Sequence, residues 1–392
     1  MVMYDYNKAL SSRAVSLQPS GIRKFFDILD TMKDVVSLTV GQPDFVTPWH
    51  IRDAGIRSLE EGRTYYTSNA GLAEFREEIA AYASRRFGLE YDPKCEIIVT
   101  VGGSEAIDLA VRALVDDGDE VIIPQPSFVC YAPLVSMSGG VPVIVELKKE
   151  NGFRLTAEQL SAAITPRTKA LVLPFPNNPT GSVMDRDSLE AVAAVLRGTN
   201  IAVISDEIYA ELTYGTKHVS IASVDGMRER TVVVNGFSKA YAMTGWRLGY
   251  TLAPREISAQ MHKIHQYGIM CAPTISQYAA IEALKNGDDD IEYMRGEYDG
   301  RRRLTVDGLN RAGLKCSLPQ GAFYVFADIT CCGMGSDEFC EKLLKEAGVA
   351  IVPGTAFGSC GEGYARISYA YSAAHIKEAL RRISAFTAEH KK

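Results

Sequence analysis

One lysine stands where a predicted strand ends, in surroundings that suit the chemistry of a carbonyl compound. Lys239 follows the apolar segment 231–235 and is surrounded by small and apolar residues rather than by other charges. Burial of that kind lowers the pKa of an amine and makes the amine a nucleophile. Lone lysines are usually solvated surface residues. Here, however, Arg247 follows in the same segment, where it could hold an anion beside the amine.

A carboxylate is predicted at the same edge of the sheet, because Asp206 ends the apolar segment 201–205. A carboxylate in this position is often only the cap of the next helix. An ionised aspartate can also keep the nitrogen of a pyridine ring protonated, which makes the ring an electron acceptor. Tyr209, which follows shortly after, is placed to hydrogen-bond the phenolic oxygen of such a ring.

Two turns leave predicted strands at this edge as well. The segment 176–181, Pro-Asn-Asn-Pro-Thr-Gly, follows the strand 169–173, and its composition alone predicts a turn. Gly102 and Gly103 open a helix whose free N–H groups can hold a phosphate, although glycines are common in strand-to-helix turns. The turn does not match the GxGxxG dinucleotide pattern, which argues against a nicotinamide dehydrogenase.

The elements that position these residues alternate between short β-branched runs and amphipathic helices, which is typical of an α/β fold. We predict a large domain, 47–285, with a mainly parallel seven-stranded sheet between helices. Its strands are 96–101, 120–123, 142–147, 169–173, 201–205, 231–235 and 249–253. We also predict a smaller α+β domain built from both termini, 1–46 and 286–392. Its strands are 322–328, 349–352 and 365–370, with an extended stretch at 35–40.

The composition excludes several classes of protein. The chain has 392 residues, a formal net charge of -6 and 46% hydrophobic residues, which favours a globular protein without general attraction to nucleic acid or anionic lipid. No apolar run approaches the roughly 20 residues that a membrane-spanning helix needs. The eight cysteines are sparse for this length, so we expect free thiols, no metal site and a cytoplasmic location.

The four segments, in this order, resemble the class I, fold-type I aminotransferases that depend on pyridoxal 5'-phosphate. The similarity is carried by SK-xxx-MTGWRLGY from Ser238, SDEIY from Ser205 and NNPTG from Asn177, and it extends from 19–27 to 367–370. The chain looks most similar to bacterial and archaeal aspartate, aromatic and N-acetyl-diaminopimelate aminotransferases. The resemblance implies transamination between an L-amino acid and a 2-oxo acid such as 2-oxoglutarate, in a homodimer whose active sites are shared across the interface.

The resemblance also assigns roles toward the cofactor. Lys239 matches the lysine that forms a Schiff base with it, Asp206 the partner of its ring nitrogen, and Tyr209 and Asn178 the donors to its phenolic oxygen. Phe128 matches the aromatic residue that stacks on the ring. The positions that match the phosphate-binding group are Gly103, Ser104, Glu105 (largely through backbone), Ser238, Arg247 and, from the neighbouring subunit, Tyr66.

For the substrate, Arg366 matches the arginine that binds the α-carboxylate, with Gly41 and Asn178 beside the same group. Arginine suits this role because its planar guanidinium can donate two parallel hydrogen bonds to a carboxylate. A buried arginine without such a partner would be costly.

The amino donor stays open at this point. Some aspartate enzymes of this group have a lysine where this chain has Ser104, and the aromatic residues Phe25, Phe26, Tyr65 and Phe128 suit an aromatic substrate. We therefore favour aromatic or broad specificity. Aspartate and N-acetyl-LL-diaminopimelate aminotransferases, and a carbon–sulfur lyase on the same fold, remain as alternatives. Arg23 and Lys24 could close over the site.

A regulator with an aminotransferase-like effector domain is the alternative outside the enzymes. Such regulators carry a basic DNA-binding segment ahead of the fold. The negative net charge and the short segment that precedes the similarity disfavour it.

Overall fold

The computed structural model describes residues 5–19 and 34–391 of the chain. Arg23, Lys24, Phe25 and Phe26 lie outside the described residues. The strands are β1 (Val36–Ser37), β2 (Ile97–Thr100), β3 (Glu120–Gln125), β4 (Val141–Glu146), β5 (Thr168–Leu173), β6 (Ala202–Asp206), β7 (Thr231–Gly236), β8 (Gly249–Leu252), β9 (Tyr324–Asp328), β10 (Val349–Ala350), β11 (Val352–Pro353) and β12 (Tyr364–Ser368).

The helices fill the intervals between these strands. The α-helices of the described residues are Tyr6–Ala9, Ser12–Ser16, Trp49–Glu60, Ala73–Phe87, Gly103–Leu114, Tyr131–Met137, Ala157–Ala163, Arg186–Leu196, Arg255–Gly268, Thr274–Asn286, Asp288–Arg311, Ser336–Ala347 and Ala373–His390. Short 3-10 helices are Lys149–Asn151, Ile221–Ser223, Arg228–Arg230, Thr330–Cys332, Gly354–Phe357 and Ser359–Gly361. No helix among the described residues is both long and apolar enough to cross a membrane.

A seven-stranded sheet forms the centre of the fold, in the order β2-β8-β7-β6-β5-β3-β4. Only β8 pairs antiparallel with its neighbours, so the other strands share one direction. The residues of β2, β6 and β7 are buried throughout, because helices cover both faces of the sheet. The predicted α/β class with a mainly parallel seven-stranded sheet is confirmed.

Two smaller sheets are built from β1 and from residues after 323. β11, β12 and β9 form an antiparallel sheet, whereas β1 pairs parallel with β10. The single strand predicted over 349–352 is therefore wrong in detail, since its two halves, β10 and β11, belong to different sheets. The domain division at 46/47 and 285/286 stays a prediction; its second boundary falls at the end of helix Thr274–Asn286, just before helix Asp288–Arg311.

One surface histidine joins three helices of the fold. His50, in helix Trp49–Glu60, places Nδ1 2.8 Å from Glu282 Oε1 and Nε2 2.8 Å from Asp290 Oδ2. Only the protonated ring can donate at both nitrogens. Partial burial lowers the pKa of His50, but the hydrogen bonds to Asp290 and Glu282 outweigh burial, and the pKa is raised above its usual 6.5.

This raised pKa predicts a stability contribution that depends on pH. It is complete below the unfolded-state pKa of His50 and is lost as pH rises through the folded-state pKa. We expect His50→Gln to lower the unfolding free energy by about 0.5 kcal/mol below about pH 6 and to have little effect above about pH 9, because the pair is partly solvated. Urea unfolding of both proteins at the two pH values measures this. An equal loss at both would contradict the charged pair.

Candidate active site

The functional side chains converge because of the directions of the strands. Asp206 is the last residue of β6, and Lys239 follows the end of β7, so both lie at the carboxyl edge of the parallel strands. The antiparallel β8 begins at this edge, which brings Arg247, just ahead of it, to the same place. Arg247 lies in the left-handed region, with φ of 53°.

A cavity of about 380 Å³ lies at this edge, within the range of about 300 to 1,000 Å³ that is usual for small-molecule sites. Most of the predicted site residues line it: Gly41, Gly103, Ser104, Phe128, Asn178, Asp206, Tyr209, Ser238, Lys239, Arg247 and Arg366. The charged residues of the lining are the three cations Lys239, Arg247 and Arg366 and the single carboxylate of Asp206. The cavity therefore has an excess of positive charge.

The amine of Lys239 is positioned by backbone and modified by its electrostatic surroundings. Its Nζ donates a hydrogen bond of 2.6 Å to the carbonyl oxygen of Gly41. Burial lowers the pKa of Lys239 to about 8, the nearby guanidinium groups of Arg366 and Arg247 lower it too, and Asp206 opposes them. An amine with this pKa has an appreciable neutral fraction near neutral pH, and neutrality makes it a nucleophile and a base.

Asp206 is a buried carboxylate with hydrogen-bond donors on both oxygens. The hydroxyl of Tyr131 donates to Oδ2 at 2.7 Å, and the backbone N–H of Ile208 donates to Oδ1 at 3.2 Å. Burial raises the pKa of Asp206, and these two hydrogen bonds counter part of that effect. A carboxylate held in this way suits a cationic N–H group as its third partner.

Arg366, on β12, is a buried guanidinium that forms no ion pair with any acidic residue of the described chain. Its Nη1 donates to Asn178 Oδ1 at 3.0 Å, its Nη2 donates to the carbonyl oxygen of Thr39, and its Nε has no partner. The ring centroids of Tyr324 and Phe357 lie 4.6 Å and 4.8 Å from its Cζ. Its positive charge is therefore left for a bound anion.

The start of helix Gly103–Leu114 lines one side of the cavity with residues Gly103 and Ser104. Its first-turn N–H groups have no acceptor within the helix. Gly102, just before it, has a φ of 80°, and a Cβ there would stand 2.7 Å from Nη2 of Arg247. Glycine is therefore required for the guanidinium to lie against this turn. Ser238 lines the cavity and is buried.

Two predicted residues lie away from the cavity within one chain. The carboxylate of Glu105 accepts hydrogen bonds from the backbone N–H of Val101 and, at 2.6 Å, from Nδ1 of His265. It therefore holds the turn rather than facing a ligand. Tyr66 is 78% exposed and lies in a separate depression beside Cys271. The backbone role of Glu105 and the role of Tyr66 across an interface stay predictions.

Two tyrosines of the cavity wall were not among the residues predicted from the sequence. Tyr131 holds Asp206, and Tyr324 places its hydroxyl 2.8 Å from that of Tyr209. Tyr131 stands close to Phe128 in the sequence, in the segment that follows the end of β3 at the same edge of the sheet. Tyr324 begins β9, which pairs with the strand that carries Arg366. The place of Tyr131 close to Phe128 is a sequence signal for it, whereas Tyr324 reaches the site only through the pairing of β9 with β12 and has no local signal.

The arrangement fits the cofactor that the sequence resemblance implies. An amine with a lowered pKa, a buried carboxylate and a helix start with free N–H groups share one cavity, and Phe128 lines its wall. The amine suits the aldehyde of the cofactor, and the carboxylate suits its ring nitrogen. The helix start suits its phosphate, and Phe128 suits its aromatic ring. The buried Nε of Arg366 without a partner leaves a place for one more anion, such as a substrate carboxylate.

Comparison with known proteins gives the same result. The model of the family described as aminotransferase class I and II matches residues 33–383. YugH of Bacillus subtilis (strain 168), which is named as an aminotransferase, is 53% identical over 377 residues, 96% of this chain and 98% of that protein. An aspartate aminotransferase of Pyrococcus abyssi (strain GE5 / Orsay) is 47% identical over 386 residues, 98% of this chain and 99% of that protein. The crystal structure of an aromatic aminotransferase from Pyrococcus horikoshii OT3 matches with a TM-score of 0.89 at 46% identity, covering 93% of this chain and 99% of that one.

The lowered pKa of Lys239 predicts selective labelling. After treatment with hydroxylamine to remove bound carbonyl compounds, an aromatic aldehyde followed by borohydride should label Lys239 in preference to Lys345, whose side chain is 70% exposed. Labelling of Lys239 should rise through about pH 8, because only the neutral amine attacks a carbonyl. Peptide mass spectrometry measures both sites.

The variant Arg366→Met tests the electrostatic cause of that lowered pKa. It removes a nearby cation, so the labelling midpoint of Lys239 should move to higher pH. Equal labelling of Lys239 and Lys345, or an unchanged midpoint in the variant, would contradict this account of the amine.

Proposed function

The chain belongs to the class I and II aminotransferases, and from that premise we propose the roles of its site residues and the class of its amino donor. It is a transferase that depends on pyridoxal 5'-phosphate and moves an amino group between an amino acid and a 2-oxo acid. When bound, the cofactor supplies a carbonyl carbon for the amine and an electron-accepting ring.

We assign the cofactor-holding residues by their places in the cavity. Asp206 holds a proton at the ring nitrogen, and Tyr209 and Asn178 donate to the phenolic oxygen. Phe128 stacks on the ring. The residues that hold the phosphate are Gly103, Ser104, Glu105 through its backbone, Ser238 and Arg247, with Tyr66 of the partner subunit. The support is that all of them except Glu105 and Tyr66 line one cavity.

Arg366 binds the substrate's α-carboxylate, and the observation that carries this assignment is its buried guanidinium without an ion pair. Two parallel hydrogen bonds to the carboxylate fix the orientation of the substrate's Cα–H bond. Asn178 and Gly41 flank the same place. Lys239 Nζ, with its pKa of about 8, then takes the proton from Cα as a general base.

We propose an aromatic amino donor or broad specificity, with a 2-oxo acid such as 2-oxoglutarate as acceptor. Each lining cation among the described residues already has a role, so none is left for the second carboxylate of a dicarboxylic donor. Ile107, Phe128 and Ile208 add apolar surface to the lining. The P. horikoshii relative is named for aromatic substrates. Aspartate is the second candidate, because the P. abyssi relative is named an aspartate aminotransferase.

A donor series tests this proposal on the enzyme loaded with cofactor. We expect phenylalanine and tyrosine to bleach the visible absorption of the bound cofactor at lower concentrations than aspartate, alanine or N-acetyl-LL-diaminopimelate. Addition of 2-oxoglutarate should restore it, because the second half-reaction reverses the first. Cystathionine without a 2-oxo acid serves as the lyase control. Preferential bleaching by aspartate would move the assignment to the second candidate, and pyruvate release from cystathionine would move it to a lyase.

We also propose that the enzyme is a homodimer with shared active sites. Residues near Tyr66 form an exposed apolar patch: Tyr65, Tyr66, Tyr267, Ile269 and Met270 are all at least 45% exposed. The two segments of the patch touch, since Asn69 donates to the carbonyl of Met270 at 2.8 Å. An apolar patch of this kind marks an interface.

We propose the cytosol as the compartment of the enzyme, which the eight free cysteines support.

A mixing experiment tests the shared site. Lys239→Ala should be inactive, and Tyr66→Ala should bind the cofactor weakly. In a hybrid dimer, one site receives Lys239 from one chain and Tyr66 from the other. Co-refolded equal mixtures should therefore recover about a quarter of the wild-type sites. Activity equal to the mean of the two parent variants, or a monomer in sedimentation, would contradict the proposal.

A further inference from the structure

Tyr324 lies between Tyr209 and Arg366, two residues of the site that belong to different strands and segments. It is 1% exposed and begins β9, where its partner on β12 is Ser368. It contacts Tyr209, Arg366 and Gly41, which belong to three other segments of the chain.

The hydroxyl of Tyr324 is the hydrogen-bond partner of Tyr209. The two oxygens are 2.8 Å apart, and the rings meet edge-on with centroids 5.8 Å apart. A phenol has one proton and can also accept hydrogen bonds. When Tyr324 donates to the oxygen of Tyr209, the proton of Tyr209 stays free for the phenolic oxygen of the cofactor.

The ring of Tyr324 is one of the two aromatic faces against Arg366. The guanidinium carbon lies 4.6 Å from the centroid of the ring, and Arg366 forms no ion pair among the described residues. A desolvated cation is attracted to an aromatic face. The ring therefore holds the guanidinium in place while no carboxylate is bound.

Gly41 leaves room for the hydroxyl of Tyr324. A Cβ at position 41 would stand 2.3 Å from that oxygen and 3.3 Å from Cζ of the ring. The carbonyl of the same glycine accepts the hydrogen bond from Lys239. A side chain at position 41 would thus displace Tyr324 or the backbone that holds the amine.

We propose that Tyr324 is a positioning residue for transamination, whose ring holds Arg366 for the substrate and whose hydroxyl holds Tyr209 for the cofactor. The inference rests on the proposed roles of Arg366 and Tyr209. The two contacts use different atoms of Tyr324, so two substitutions separate them.

Tyr324→Phe removes the hydroxyl and keeps the ring. Tyr209 then becomes a weaker donor and stabilises the negatively charged phenolic oxygen of the cofactor less. We expect the pH at which the absorption of the bound cofactor changes to rise by about half a unit to one unit. The cofactor should dissociate several times more readily, whereas the KM of the amino donor should change less than about threefold.

Tyr324→Leu removes the ring as well. We expect the same spectral shift and, in addition, a KM for the amino donor that is about tenfold higher or more, because Arg366 loses an aromatic face. Tyr91→Phe is the matched control, because it too removes the hydroxyl of a buried tyrosine. Unlike the hydroxyl of Tyr324, that of Tyr91 has no hydrogen-bond partner, and Tyr91 does not line the cavity. This control should leave the spectral midpoint and the KM at wild-type values.

A double substitution guards against poor folding of the leucine variant. Gly41→Ala should raise the KM of the donor by about tenfold in the wild-type background. In the Tyr324→Phe background the same substitution should raise the KM by a much smaller factor, because the hydroxyl oxygen that would stand 2.3 Å from the new Cβ is gone. Unchanged spectra in Tyr324→Phe together with additive effects of the two substitutions would overturn the inference. A wild-type enzyme that no amino acid bleaches would instead overturn the proposed function.

Discussion

Burying a guanidinium without a carboxylate costs free energy, because no ion pair returns the energy of desolvation. Arg366 is such a group, and the structure around it supplies weaker partners instead. These are the carbonyl of Thr39, the amide oxygen of Asn178 and the rings of Tyr324 and Phe357. They come from separate segments, so the small antiparallel sheet, the turn at 176–181 and the segment after β1 must come together around this cation. The Nε of the guanidinium keeps its hydrogen-bonding capacity, which we propose serves the substrate.

The direction of the strands explains how distant residues share one cavity. Parallel strands bring their carboxyl ends to one edge, which collects Asp206 and Lys239 although different strands carry them. The antiparallel β8 reaches the same edge with its amino end and adds Arg247. A fully parallel sheet would have carried that arginine to the opposite edge. The single reversed strand is therefore what brings a third cation into the cavity.

Much of this site could be predicted from the sequence, because its residues follow strand ends that apolar runs mark clearly. Lys239 and Asp206 were found in this way, whereas Asn178 was assigned by the family resemblance. The contacts of Tyr131 and Tyr324 could not be predicted, because aromatic residues in strands and helices are usually core and only tertiary packing shows their partners.

The fold was also predictable only in part. The split of 349–352 between two sheets was missed, since an apolar run indicates a strand without saying which strand it will join. The orientation of Glu105 away from the cavity depends on His265, which is far away in the sequence. Long-range partners of this kind leave no local pattern.

The same excess of positive charge that attracts anions also controls the amine. Arg366 and Arg247 lower the pKa of Lys239, so the cavity without anions favours the neutral amine that attacks a carbonyl group. In the proposed function, the phosphate of the cofactor neutralises Arg247 and the carboxylate of the substrate neutralises Arg366, which weakens their effect on Lys239. The affinity of the amine for a proton then increases when the substrate is in place, which is when it has to accept the proton of Cα. On the proposed assignment of Arg366, substrate binding thus makes Lys239 a stronger base by neutralising a nearby cation.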